Sequence, residues 1–157
     1  MEHTLLFYLI DFALATLPAV GFAMLFATPV RYLPLVAFGG GFTHLTRVLI
    51  MDWFGFHIGI STFWAVFLMS LIFIYIAPRI HVPRPVFTVA SIIPIIPGKY
   101  AYSAILAAIK LHNQDGSGGE VLMELASSSL ICGGIMLCIG MGIALPPLLF
   151  YRNRPVV

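Results

Sequence analysis

The sequence predicts an all-α integral membrane protein of about five transmembrane helices, the fourth of them interrupted. Of the 157 residues 61% are hydrophobic and only 9% charged, with a mean hydropathy of +1.03, far outside the range of soluble domains. Apolar runs recur at lengths near the roughly 20 residues that cross a hydrocarbon core. One of these runs carries Pro94-Ile95-Ile96-Pro97-Gly98 in its middle. A chain of this size suits a single transmembrane domain over residues 1–157 and leaves no room for a separate soluble one.

The first expected span, about 5–26, contains Asp11 and Pro18 and ends before the turn signal Thr28-Pro29-Val30-Arg31. The second, about 33–51, carries Gly39-Gly40-Gly41, His44 and Arg47, polar enough for a hydropathy window to miss it. The third, about 58–77, has no ionisable side chain except Tyr75. The fourth, about 86–111, is broken at Pro94, Pro97 and Gly98 and continues at once with Lys99, Tyr100, Tyr102 and Ser103. Interrupting a helix frees backbone N–H and C=O groups that lipid cannot hydrate, so a break at membrane depth belongs where protein or a water-filled cavity surrounds it.

The fifth span, about 121–151, has no formal charge from Leu125 onward and exceeds one crossing; it is expected to tilt, to bend at Pro146-Pro147 or to run along the interface. Its Ser129, Gly133 and Gly140 fall near one face, and Gly134, Cys138 and Gly142 on another. Small residues let membrane helices approach closely, so both stripes are expected to pack, against another part of the chain or against a partner. Glu120 and Glu124 open this span either as an interfacial face or as the lining of an access path. His112 to Gly119 forms the one clearly hydrophilic loop.

Short loops retain Lys and Arg on the cytoplasmic side. Five spans place Arg31, Arg79, Arg84, Arg152 and Arg154 together on one side, with Lys110 and Arg47 at the other, which predicts the N-terminus outside and the C-terminus cytoplasmic. Met1-Glu2-His3 lacks the positive flank of a secretory signal and Asp11 interrupts the apolar run, although Ala13-Leu14-Ala15 has the composition of a cleavage site. Cys132 and Cys138 are separated by roughly 9 Å of helix rise, too far to bond to each other without breaking the helix.

Chemistry concentrates at the break and on the second span. The half-helix after Pro97-Gly98 presents unpaired amides and the positive end of its dipole, a site for a carboxylate, as interrupted helices do in transporters. Lys99 would add a charge there, and Tyr102 and Ser103 hydroxyl donors; the alternative is a kinked helix whose Lys99 snorkels to the surface. Gly40, Thr43, His44 and Arg47 share one face of the second span. An arginine at the centre of a membrane helix costs about 2.5–3.5 kcal/mol on insertion scales, so it calls for a reason. Arg47 either binds a carboxylate or anchors the outer end of its helix, where Asp52 would pair with it; His44 is a ligand or a hydrogen-bonded packing residue. Asp11 is a counter-ion for Arg47 or Lys99, a proton carrier alongside His44, or a group at headgroup level.

Other classes have no support. Eight Lys/Arg against six Asp/Glu give +2, scattered among apolar runs and forming no basic face for nucleic acid. No nucleophile elbow, paired-histidine metal motif or phosphate-binding glycine loop is present, which argues against an enzyme and indicates no metal or organic cofactor.

Pro18-Ala19-Val20-Gly21-Phe22-Ala23-Met24, His44-x-x-Arg47, Val86-Phe87-Thr88-Val89-Ala90 leading into Ile93-Pro94-x-x-Pro97-Gly98-x-x-Ala101-Tyr102, and Tyr151-Arg152-x-Arg154-Pro155 occur in this order. Together they resemble the YjjB-type small membrane subunit of the threonine/serine exporter (ThrE) family, over essentially the whole chain. The resemblance implies a bacterial inner-membrane export system with a larger YjjP-type membrane subunit as partner. It also implies succinate, or threonine and serine in fused relatives, as cargo. Lys99 directly after Pro-Gly is not a feature of that pattern. The resulting expectation is a subunit exporting small carboxylates, dicarboxylates such as succinate first, with a partner inserted in the opposite orientation. Its rival is a scaffold that stabilises a partner containing the whole pathway.

Overall fold

A computed structural model describes residues 5–80, 82–113 and 118–150. Every regular element among them is helical: α1 (Leu5–Leu25), α2 (Leu33–Phe54), α3 (Ile58–Ile76), α4 (Pro85–Ile92), α5 (Gly98–His112) and α6 (Gly118–Phe150), with 3₁₀ turns at Val30–Tyr32, Ala77–Ile80 and Ile93–Ile95. Four helices are long and apolar enough to cross a membrane, and a fifth crossing results when Pro85–Ile95 and Gly98–His112 count as one broken span. The expected all-helical membrane architecture with an interrupted fourth span is what the chain adopts. Met1-Glu2-His3, Gln114 to Ser117, Tyr151 and the charged Arg152 and Arg154 lie outside the described residues.

The chain divides into two compact units, Met1–Ile95 with Cys138–Val157, and Ile96–Leu137. The first is organised around α2, whose three successive glycines each meet a different part of the surroundings. A Cβ on Gly39 would overlap Ser91 and Phe73, one on Gly40 would overlap Ala19, and one on Gly41 would lie 2.7 Å from the Phe12 ring. Backbone contact of this kind replaces the hydrophobic drive that lipid removes. Phe73 and Phe87 stack at 5.6 Å and are fully buried with Val36, Val66, Met69 and Ile95.

Local chemistry sets the helix ends. α1 closes with Ala27 in the left-handed region (φ 53), its amide on the Met24 carbonyl and that of Thr28 on the Ala23 carbonyl, the paired bonds of a Schellman motif. α2 continues past the expected end at Met51 to Phe54, where Gly55 takes φ 64 and returns its amide to Met51. α6 starts ahead of the expected Val121 and runs through Pro146 and Pro147 as one helix. Pro147 has no N–H to offer the Ile143 carbonyl, and the Ser70 hydroxyl donates to that carbonyl instead at 3.4 Å.

In the second unit α5 begins at Gly98. Pro97, with ψ 57, leaves the helical region, and the Gly98 amide turns back onto the Ile96 carbonyl at 2.8 Å. These two residues end one helical stretch and start the next.

Candidate functional site

Ionisable side chains reach the interior of the first unit from α1 and α2. The antiparallel pairing of these helices sets His44 Nδ1 2.9 Å from the Asp11 carboxylate, with side-chain exposures of 19% and 23%. His44 lies near the midpoint of α2, about 15 Å from either end at 1.5 Å per residue. Asp11 is therefore drawn to the middle of its neighbour. It meets His44, where the sequence suggested a counter-ion for Arg47 or Lys99, a proton carrier or a group at headgroup level.

One turn beyond His44, the half-buried Arg47 donates from Nη1 to the Ile95 carbonyl at 3.1 Å. Ile95 is fully buried and ends the 3₁₀ turn Ile93–Ile95, so its carbonyl is among those a helix end leaves without an intrahelical donor. Gly40 lets this happen: the Pro94 ring stands 3.5 Å from where a Cβ on Gly40 would be, which brings the break against α2. Gly40, His44 and Arg47 thus face Ala19 and Pro94, Asp11 and Ile95 in succession along one side of α2. Thr43, on the same stretch, is spent within its own helix, donating to the Gly39 carbonyl at 2.6 Å. Asp52, at the exposed end of α2, accepts the Tyr8 hydroxyl at 3.1 Å.

The remaining sequence candidates lie in the second unit. Gly98 and Lys99 are exposed, Tyr102 is 68% exposed and Ser103 is half-buried. No side chain caps α5. Since the Gly98 amide is engaged with Ile96 and that of Ala101 with Pro97, the amides of Lys99 and Tyr100 are the ones left at this helix start.

Sequence reasoning missed the Asp11–His44 pair and the carbonyl that Arg47 holds. The first had a signal: Asp11 and His44 stand at similar distances on either side of the Pro29 turn, as partners in an antiparallel hairpin must. The second had none, because every residue offers a carbonyl.

Residues 11–149 match the family model described as Threonine/Serine exporter, ThrE. An uncharacterized protein of Haemophilus influenzae is 35% identical over 152 residues, covering 95% of this chain and 50% of that protein. The chain thus spans about half the length of the curated relative it matches. No solved structure matches it.

Proposed function

Since the chain belongs to the threonine/serine exporter family, we propose that it is one membrane subunit of a two-part exporter of small carboxylates. The candidate cargoes are dicarboxylates such as succinate and hydroxy amino acids such as threonine. The carrying observation is Arg47: a guanidinium one turn past the midpoint of α2, directed at the loose carbonyl end of a broken helix and next to a carboxylate–imidazole pair. A cargo carboxylate suits the same guanidinium better than a backbone carbonyl does, because the charge-assisted, bidentate bond is the stronger one. Within the second unit, the amides of Lys99 and Tyr100, with Tyr102 and Ser103, form a separate candidate set of anion donors.

The second half of the exporter is a larger membrane subunit of the YjjP type. Support comes from the relative, which carries about as much chain again beyond the matched part. An odd number of spans in this half favours a partner of opposite orientation, as in inverted-repeat transporters. In this reading the protein resides in the bacterial inner membrane, N-terminus outside and C-terminus cytoplasmic, as the loop arginines favour.

The experiment is efflux of preloaded succinate and threonine from cells expressing this chain, its larger partner, or both. Efflux is expected only with both. Arg47→Gln is expected to abolish it at unchanged membrane level and partner co-purification. Transport indifferent to Arg47→Gln and Tyr102→Phe would establish the scaffold role instead.

A further inference from the structure

We infer that the Asp52 end of the α1–α2 hairpin is a water-filled vestibule by which the cargo carboxylate leaves Arg47; its use by cargo rests on the exporter reading. The two helices are packed in one half and open in the other. α1 buries Ala15, Ala19 and Ala23, and α2 buries Val36, Gly39, Gly40, Gly41 and Thr43. From Leu5 to Leu14 on α1 and from His44 to Phe54 on α2 no residue is buried. The Phe12 ring against Gly41 marks the boundary, and Asp11 and His44 are the first residues on its open side. From His44 to Asp52 the open half runs about 12 Å along α2, at 1.5 Å per residue.

The open half is also where the ionisable side chains of these helices stand. Tyr8 and Asp52 meet at its mouth, beside the exposed Trp53 and Phe54, aromatic residues that suit the headgroup level. Asp11 and His44 meet at its floor, both partly exposed, and the half-buried Arg47 lies one turn from His44 toward the mouth. His44, Val48 and Asp52 follow at four-residue spacing, so one side of α2 connects floor and mouth. Three media could touch the exposed part of the Asp11–His44 pair. Lipid is ruled out by the cost of ionisable groups at membrane depth. A dry protein surface would have to compensate a desolvated carboxylate and imidazole with partners of its own. Water satisfies both with nothing further built. A carboxylate released by Arg47 is hydrated at once in such a space, and in the orientation proposed above the Tyr8–Asp52 end faces outside.

The test is cysteine accessibility in spheroplasts expressing this chain together with its larger partner, on a Cys132→Ser, Cys138→Ser background. A membrane-impermeant methanethiosulfonate, which needs a hydrated thiolate to react, is added outside. Val48→Cys and His44→Cys are expected to react at least an order of magnitude faster than two controls. Leu9→Cys is exposed but lies on the opposite side of α1 from Asp11, and Val36→Cys is in the packed half. Val48→Cys decides alone if replacing His44 prevents assembly. Succinate or threonine in excess is expected to slow the labelling of Val48→Cys several-fold. A Val48→Cys rate no higher than that of Leu9→Cys would mean that no water reaches this face and would overturn the inference. Labelling seen only without the larger partner would make the face its docking seat and would overturn it equally. Rapid labelling that neither cargo slows would overturn the exit route. Labelling is read without transport, so rapid, cargo-insensitive labelling in cells that export neither compound would remove the exporter reading, whereas slow labelling in cells that do export removes only the vestibule.

Discussion

α2 and α6 look alike in sequence, both apolar and both punctuated by glycine, yet the glycines meet different surroundings. On α2, Gly39, Gly40 and Gly41 leave no space for a methyl group against Ser91, Ala19 and Phe12. On α6, Gly133, Gly134 and Gly140 have no described atom within 4 Å of where a Cβ would stand, and only Gly142 is tightly seated, on Val66 and the Phe63 carbonyl. A small residue in a membrane helix permits close approach; it does not supply the neighbour. Of the small residues of α6, Gly142 packs within the chain, whereas Gly133, Gly134 and Gly140 have no such neighbour among the described residues.

The contrast is tested most strongly at Gly40. Its Cβ would strike Ala19 on α1 with the Ala15 carbonyl 3.4 Å away, so neither a rotamer change nor a flexible tip relieves the overlap. Gly40→Ala should destabilise the chain by about 1–3 kcal/mol, the usual cost of overpacking, read as a lower melting temperature in detergent. It should also loosen the pairing of α1 with α2 on which Asp11–His44 depends. An unchanged melting temperature would mean that α1 and α2 separate more readily than this packing implies.

The Asp11–His44 contact ranks next. A double-mutant cycle through Asp11→Asn and His44→Gln should return a coupling of about 1–2 kcal/mol, the upper part of the range for polar contacts between membrane helices. A coupling near zero would mean that the partly exposed pair is satisfied equally well by water.

How much of this was legible beforehand follows from what each signal averages over. Hydropathy sums over about 20 residues, which is why α1, α3 and the break at Pro97-Gly98 could be read directly. Even α2, diluted by Gly39-Gly40-Gly41, His44 and Arg47, could be placed once the loop arginines were counted. Pair identity has no such averaging. Asp11 had three electrostatically reasonable partners, and only the register of α1 on α2, set by Gly40 and Gly41 against Ala19 and Phe12, selects His44. The expectation at the break emphasised the positive start of α5. The contact seen in the first unit is at the opposite pole, the carbonyl end at Ile95, and was hidden because backbone acceptors leave no mark on composition.

Gly133→Ala probes the other side of the comparison. With open space around that position, the change should cost nothing in packing and gain up to about 1 kcal/mol from helix propensity, opposite in sign to Gly40→Ala. A destabilisation would show that the α6 face is covered in the assembled protein.

The smallest effect separates glycine used for approach from glycine used for conformation. Gly55 and Ala27 both occupy the left-handed region at the ends of their helices, but only Gly55 is a residue that enters it without strain. The Cβ of Ala27 costs roughly 1–2 kcal/mol there, partly offset because glycine loses more freedom on folding. Ala27→Gly should therefore stabilise the chain by about 0.5–1 kcal/mol, seen as a higher melting temperature with transport unaffected. The contact-driven glycines of α2 would be unmoved by this change, since Ala27 acts through its own backbone angles and through the amides it and Thr28 return to Met24 and Ala23. A loss of stability would mean that the methyl group of Ala27 makes a contact worth more than its strain, and would place this turn with the packed glycines.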